Sequence, residues 1–149
     1  MKIIATNKKA NFLYEVLDKF TAGIVLTGWE VKSLRNNTPN LDASFIYVDN
    51  GEAFIKQMFI SEYKYGYKGD VQENFRLRKL LLNKKEIQKL DKESKNTGFS
   101  IVPLKIYFND NNRVKVDIAL VKGLKNYDKR DKIKKRDMKL DTDRKLSKI

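Results

Sequence analysis

The sequence AGIVLTGWEVKSLRNN, residues 22–37, decides the fold of this chain. Its apolar run at residues 24–26 consists of branched side chains, which are typical of strands. Thr27 and Glu30 then have the spacing of a capping box, which predicts that a short helix begins directly after the strand. Asn37 tolerates the backbone conformation that often ends a helix. The stretch therefore predicts a strand that leads into a short helix.

The short helix has two different faces. Val31 and Leu34 lie three residues apart and share the face that we expect to be buried. Lys32 and Arg35 then point outward, and Trp29 stands at the start of the helix. A small helix with cations on its outer face is either part of a binding surface or a plain connector, and these residues alone favour neither.

The composition excludes several classes of protein. The chain has 149 residues and is 41% hydrophobic, which is enough for one domain with a single core. It contains no Cys, so disulfides and thiolate metal sites are excluded. It also contains no His, which removes the commonest zinc ligand, the commonest general base and every Ser-His pair.

The net charge predicts the partner. Lys and Arg number 32 against 19 acidic residues, a formal charge of +13. Such a surplus on a small chain favours a polyanion, with nucleic acid as the default and an anionic membrane surface as the alternative. The N-terminal sequence lacks the apolar run of a signal peptide, and no segment approaches a membrane span, so we expect a soluble, cytosolic protein.

The N-terminal third predicts an arm followed by a strand. Residues 1–11 are basic and polar, and we expect an arm that lies along the body. Residues 12–20 alternate between apolar and polar side chains, the pattern of a half-buried strand. Ala22 and Gly23 follow, where the backbone is free to bend as barrel strands do at a bulge.

The middle of the chain predicts a hairpin and a loop. Residues 44–48 and 52–60 are two strand-like runs joined through Asn50-Gly51, the strongest short hairpin signal. Residues 61–74 form a polar loop with three tyrosines, at positions 63, 65 and 67. Those rings either stack on nucleic-acid bases or pack over the barrel.

The second half predicts further strands. Residues 75–82 form an extended segment with Arg76 and Arg78 on one side. Residues 99–108 and 113–121 are two more strands, and the second has the strictest alternation in the chain.

A second helix and two special positions complete this part of the chain. Asn83 and Glu86 form another capping box, after which Leu90 faces inward. Gly98 is placed to end the helix. Pro103 marks an edge or a bulge, because proline cannot donate to a ladder.

The composition changes at the C-terminal end. From Lys122 to Ile149 there are 12 basic and 5 acidic residues, and apolar residues are few and irregularly spaced. Such a segment buries too little surface to offset its ordering entropy, so we expect it to be disordered alone and able to fold on a polyanion. We therefore divide the chain into a barrel domain, residues 1–122, and a basic tail, residues 123–149.

These elements predict a mainly β fold without a visible catalytic centre. About six antiparallel strands with two or three short helices suggest an OB-like barrel, closed or nearly so. Gly23 and Gly28 have the spacing of a phosphate loop, but Trp29-Glu30 stands where Lys-Ser/Thr is needed. No pair of carboxylates lies in apolar surroundings that would separate their pKa values for acid–base work. An enzyme that uses only Lys, Tyr or carboxylates stays open as an alternative.

Five motifs in order resemble one family. They are AGIVLTGWEVKSLR, RLRKLLLNKKEI, VPLKIYF, RVKVDIALVKG and YDKR, which begin at residues 22, 76, 102, 113 and 127. Together they closely resemble the SsrA-binding protein family, also called small protein B. The resemblance runs from residue 7 to about residue 136.

The resemblance implies a fold and a function. It implies an OB-like barrel that binds the tRNA-like domain of transfer-messenger RNA. It also implies that the protein, together with GTP-loaded elongation factor Tu, brings this RNA to ribosomes stalled on messages that lack a stop codon. The tail would probe the 16S rRNA decoding centre and fold as a helix in the empty mRNA channel. It also implies a monomer with no cofactor and no catalysis of its own. A general OB-type RNA-binding or ribosome-associated protein is the alternative.

The resemblance also implies two groups of site residues. The RNA-binding surface would comprise Asn7, Lys8, Gly23, Glu30, Lys32, Arg35, Arg76, Arg78 and Lys79. The decoding-centre group in the tail would comprise Gly123, Lys125, Tyr127, Asp128, Lys129 and Arg130. The cations would supply salt-sensitive attraction to phosphates, and Tyr127 could stack on an exposed rRNA base.

The chain departs from the family pattern at three positions. Thr21 stands where the family commonly has an acid that contributes to RNA binding. Leu124 replaces a usual Lys and removes one phosphate contact. Tyr127 stands where many members have His, and both side chains can stack.

Overall fold

A computed structural model describes residues 1–61 and 74–123. These residues form seven strands and three helices, which confirms the predicted mainly β fold. The strands are β1 (Lys2–Thr6), β2 (Tyr14–Ile24), β3 (Phe45–Asp49), β4 (Glu52–Lys56), β5 (Arg78–Leu81), β6 (Phe99–Phe108) and β7 (Val114–Gly123). The helices are α1 (Ala10–Leu13), α2 (Gly28–Asn36) and α3 (Lys84–Ser94).

The strands form one antiparallel sheet that closes on itself. Their order is β1-β6-β3-β4-β5-β2-β7, and β7 pairs back onto β6. Strands β2 to β7 therefore make a six-stranded, OB-like barrel, as predicted. The seventh strand, β1, pairs with one edge of β6. The same edge of β6 also meets β3, through the single pair Ile46↔Ile101.

The barrel encloses one main core. Its buried side chains come from inward positions of the strands, from one position each on α2 and α3, and from the connecting segments at Leu41, Met58 and Ile60. The members are Ala22, Leu34, Leu41, Ile46, Ala53, Ile55, Met58, Ile60, Leu80, Leu90, Ile101, Ile106, Phe108, Val116, Ile118 and Leu120. A smaller cluster of Ala10, Val102, Ala119 and Val121 lies beneath α1. Burial of this apolar surface is what holds the barrel together.

The predicted hairpin is confirmed. Asn50 and Gly51 have φ of 51° and 75°, the two positive values that a two-residue type I′ turn requires. Strand β4 is shorter than predicted and ends at Lys56, because Gln57 takes a positive φ of 66° that interrupts the ladder.

Both predicted capping boxes are confirmed. At α2, the amide of Thr27 donates to Glu30 Oε1 at 2.8 Å. At α3, the amide of Glu86 donates to Asn83 Oδ1 at 2.8 Å, and Leu90 is buried as predicted. Short polar signals at helix starts are therefore reliable here, since each satisfies local amides without tertiary help.

The bulges lie partly where the sequence placed them. The register of β6 shifts between Pro103 and Lys105, which confirms the bulge predicted at the proline. In β2, however, the shift lies between Val16 and Asp18 and not at Ala22-Gly23.

The prediction for the first thirteen residues was wrong. Residues 1–11 were expected to be an arm, but Lys2–Thr6 is a strand paired with β6. Phe12 and Leu13 were expected in a strand and instead end α1. The reason is tertiary, because β1 takes its hydrogen-bond partners from β6, about 100 residues further along the chain. The three tyrosines of the polar loop and the tail beyond Gly123 lie outside the described residues.

Candidate nucleic-acid interface

The outward face of α2 carries exposed cationic side chains, as its sequence predicts. Lys32 and Arg35 are exposed, while Leu34 is buried and Trp29 and Val31 pack partly buried against the core. Helical periodicity fixes this division, since residues three apart share a face. The helix therefore presents positive charge to the outside and anchors itself through its apolar side.

Glu30 on α2 has a different environment from its neighbours. Its side chain is 0% exposed and receives two guanidinium groups. Arg76 Nη2 lies 2.6 Å from Oε1, and Arg78 Nε donates to Oε2. The capping amide of Thr27 binds Oε1 as well, so one carboxylate ties the start of α2 to the strand β5 region.

Arg78 is an interior residue. Its guanidinium is 0% exposed and donates to the carbonyls of Met58 at 2.7 Å and Asn74 at 3.1 Å, in addition to Glu30. Arg76 keeps 31% of its side chain exposed. The prediction that both arginines share one side is confirmed, but that side faces inward, because Leu77 between them points to solvent. The predicted placement of Arg78 and Glu30 on the surface is therefore wrong.

The buried carboxylate is held in its ionised form. Burial alone raises the pKa of Glu30, but the hydrogen bond from Arg76, the Thr27 amide and the charge of Arg78 together outweigh it. The pKa of Glu30 therefore lies below its ordinary value. A buried carboxylate with two guanidinium partners serves as a structural counter-ion.

Gly23 lies where three strands meet. It pairs with Leu81 of β5 on one side and with Lys115 of β7 on the other. A Cβ at Gly23 would come within 3.3 Å of the Leu81 Cβ and 3.6 Å of Lys115 Nζ. The glycine therefore lets Leu81 and Lys115 approach each other over the strand surface.

Leu81 and Lys115 are surface residues that the sequence analysis did not single out. Leu81 is 55% exposed, and both line a cleft of about 270 Å³ that also includes Val31 of α2 and Arg113. The strict alternation of β7 could have indicated that Lys115 faces outward. Only the order of the strands in the sheet shows that it lies beside Gly23. The cleft joins an exposed leucine to two cations.

The remaining predicted RNA-binding residues occupy separate places. Lys79 is exposed on β5 and forms an ion pair with Glu52 at 3.1 Å. Lys8 is exposed, whereas Asn7 is buried and binds β6 through its amide to the Leu104 carbonyl at 2.8 Å. Asn7 Nδ2 donates to the Pro103 carbonyl at 3.0 Å, so this residue holds β1 at the bulge of β6.

An acid lies directly across from Thr21. The Thr21 hydroxyl donates to Asp117 Oδ1 at 3.0 Å, and so does the Tyr107 hydroxyl. Lys105 Nζ lies 3.5 Å from the other oxygen of Asp117. Burial, followed by the hydrogen bond to Asp117, raises the pKa of Tyr107. The structure thus supplies a carboxylate next to the position where the sequence lacks one.

The predicted decoding-centre group begins at the end of the described chain. Gly123 pairs with Tyr14, and its amide donates to the Gly98 carbonyl at 2.9 Å. Lys125, Tyr127, Asp128, Lys129 and Arg130 lie outside the described residues.

The part of the chain that the structure describes contains neither a metal-binding cluster nor a helix that could span a membrane. Residues 1–61 and 74–123 contain no group of three or more acidic side chains arranged to hold a metal ion. Over the same residues, none of the helices has the length and apolar character needed to cross a membrane.

Comparisons with known proteins agree with each other. The family model described as SmpB protein matches residues 4–148. The SsrA-binding protein of Enterococcus hirae is 48% identical over 145 residues, which cover 97% of this chain and 93% of the relative. The SsrA-binding protein of a Sulfurihydrogenibium species is 50% identical and covers 93% and 90%.

A solved structure is also similar. A chain from "tmRNA-SmpB: a journey to the center of the bacterial ribosome" matches with a TM-score of 0.68 and 38% identity, covering 82% of this chain and 85% of that one. The OB-like barrel and its cationic surface are typical of the nucleic-acid-binding class of proteins. Within that class, the chain belongs to the SmpB protein family.

Proposed function

We propose that this protein is an RNA-binding adaptor that binds the tRNA-like domain of transfer-messenger RNA and brings it to stalled ribosomes. The observation that carries this function is its similarity, at 48% identity over 97% of the chain, to a protein named for binding SsrA. A structural neighbour described with tmRNA and the bacterial ribosome supports the same conclusion.

The RNA-binding face consists of the exposed cations around α2 and β5. Lys32, Arg35 and Lys79 supply phosphate contacts, and Lys115 extends the same charge past Gly23. Arg and Lys attract phosphates by releasing counterions, so this part of the affinity falls with salt. A folded RNA domain presents phosphates in a fixed pattern, which a rigid barrel can match.

Glu30 and Arg78 act as positioning residues in this function. They are 0% exposed and have no surface for direct contact with RNA. Their ion pair fixes α2 against β5, and Arg76 extends from the same carboxylate to the surface. Asn7 has the same role for the N-terminal strand, since it holds β1 on β6 while the neighbouring Lys8 is exposed.

The tail carries the second part of the function. Residues 123–149 enter the empty mRNA channel, where Gly123, Lys125, Tyr127, Asp128, Lys129 and Arg130 contact the decoding centre. The tail's surplus of seven positive charges suits an RNA-walled channel, counted over Lys122–Ile149 with 12 basic and 5 acidic residues. A message still in the channel would occupy the same space and exclude the tail. The monomer acts in the cytoplasm together with GTP-loaded elongation factor Tu and has no catalytic step of its own.

The first experiment measures binding of the full chain to the tRNA-like domain. A hairpin RNA of equal length is the competitor, and the salt concentration is varied. A preference for the tRNA-like domain that persists at high salt supports recognition of shape. Equal binding that falls steeply with salt would leave only charge attraction and would favour a general RNA-binding protein.

A second experiment separates the barrel from the tail. Tyr127→Ala with Asp128→Ala should abolish tagging of peptides on stalled ribosomes and leave RNA binding unchanged, because both residues lie in the tail. Scrambling residues 123–136 at constant composition is the matched control for charge alone. Retained tagging by the scrambled chain would favour the general RNA-binding alternative, in which the tail acts only through its charge. Equal loss of binding and tagging in the double variant would contradict separate roles for barrel and tail.

A further inference from the structure

Three aromatic side chains form a row on the outer face of the β3–β4 hairpin. The ring centroids of Phe45 and Tyr47 are 6.4 Å apart, and those of Tyr47 and Phe54 are 5.6 Å apart. Tyr47 and Phe54 are also directly opposed in the ladder. Ile46 and Ile55 alternate with them and point into the core, so the strand period alone places the rings outside.

The row is accessible. Phe45 is 40% exposed, and Tyr47 and Phe54 are partly exposed. In the part of the chain that the structure describes, none of the three belongs to the two hydrophobic clusters that form the cores. Exposed aromatic rings grouped in this way are unusual for a surface without a partner.

Cations flank the aromatic row. Lys56 lies opposite Phe45 in the β3–β4 ladder, and Lys79 lies opposite Phe54 in the β4–β5 ladder. Lys79 forms an ion pair with Glu52, and both side chains are well exposed. Exposed ion pairs add little stability, so an RNA phosphate can replace the Glu52 carboxylate as the partner of Lys79.

The row is continuous with the proposed RNA-binding face. Lys79 and Leu81 share the outer face of β5, and Leu81 lies opposite Gly23. From there the surface reaches Lys115. At the other end, Phe45 and Tyr47 line a cleft of about 300 Å³ between β3, α3 and β6 that also includes Lys95. That volume is at the lower limit for small-molecule sites and gives room for one unstacked base.

We propose that Phe45, Tyr47 and Phe54 form a stacking site for unpaired bases of a single-stranded RNA segment, with Lys56 and Lys79 on its phosphates. Base–aromatic stacking tolerates any sequence, because every base has a π-face. The site deepens the proposed function and rests on it, since a bound RNA domain on the adjoining face would hold its unpaired nucleotides near the row.

The test measures binding of a fluorescent ten-nucleotide oligoadenylate to the full chain. The double variant Phe45→Ala, Tyr47→Ala should bind about tenfold more weakly or worse. The salt dependence should stay that of the parent, because no cation is lost. A duplex of the same length should bind both proteins alike. Leu17→Ala is the control, since Leu17 is 44% exposed on β2 and outside the row.

Conservative variants separate stacking from apolar contact and from misfolding. Phe45→Trp should bind the oligoadenylate as tightly as the parent, whereas Phe45→Leu should be as weak as Phe45→Ala, with thermal melting to show that each variant is folded. Unchanged binding by the double variant would overturn the proposal. Equal weakening for the duplex would also overturn it. Failure of the parent to prefer the tRNA-like domain is a separate result that concerns only the proposed function.

Discussion

Two carboxylates in this barrel meet cations in opposite environments. Glu30 is 0% exposed between Arg76 and Arg78, whereas Asp18 and Lys89 keep 35% and 49% of their side chains exposed. Both pairs connect a helix to a strand region, Glu30 from α2 and Lys89 from α3. In both, the partner cation lowers the pKa of the carboxyl, and at Asp18 the hydrogen bond from Lys89 is the largest cause.

The difference teaches which charges are free to bind RNA. At the surface, water and salt already solvate both ions, so pairing adds little and either ion can change partner. In the interior, each ion has lost its hydration, and removal of one leaves the other without a counter-charge. The exposed cations are therefore the ones accessible to a polyanion, while the buried Arg78 and the partly buried Arg76 hold α2 in place through Glu30.

The variant with the largest expected effect on stability is Glu30→Gln. The substitution keeps the shape of the side chain but leaves two guanidinium groups beside a neutral amide, so we expect a loss of about 3–5 kcal/mol of unfolding free energy. Urea denaturation measures it. Asp18→Asn is the matched control, and its midpoint should stay close to that of the parent. Similar losses for both variants would contradict the distinction between buried and exposed pairs.

A smaller effect should follow from pH. The folded pKa of Glu30 is below its ordinary value of 4.5, so its contribution to stability is present above that value and is lost as pH falls through the folded pKa. The unfolding free energy should therefore decline toward acid less steeply in Glu30→Gln than in the parent. Asp18 adds a slope of the same sign in both proteins. Parallel curves for the two proteins would show that Glu30 does not titrate with folding.

Substitution of the exposed cations should have the smallest effect on stability. It should have a clear effect on RNA binding. Replacing Lys32, Arg35 and Lys79 by Ala should leave stability close to that of the parent, because all three are exposed. Each substitution should make the plot of log binding constant against log salt concentration less steep, by the amount expected for about one phosphate contact. Binding measured over a salt series tests this. Lys92→Ala on α3 removes an exposed cation elsewhere and should change the slope less.

Local signals predicted the local structure well. Asn50-Gly51 has the positive φ values of the predicted turn, and both capping boxes are present. Pro103 lies at a bulge because its nitrogen cannot join the ladder. The turn and the caps were predicted correctly because their interactions span no more than four residues, and the bulge because proline itself lacks the N–H that a ladder needs.

Predictions that depended on distant partners failed. Lys2–Thr6 was included in the predicted arm, although Ile3 and Ile4 are β-branched, and it forms a strand on the edge of β6. Arg78 follows the alternation of an outward basic strand, yet it is buried because Glu30, 48 residues away, compensates its charge. The tail residues lie outside the described part of the chain, and their role stays a prediction.

The sequence by itself determined the mainly β class, the hairpin, the two helix starts, the cationic outer face of α2 and the resemblance to one family. Only the tertiary structure decided which cations are accessible, that Lys115 and Leu81 meet at Gly23, and that Phe45, Tyr47 and Phe54 form an exposed row. The physical reason is that turns and caps are stabilised by neighbours in sequence. Burial and proximity across strands depend on the order in which the sheet closes.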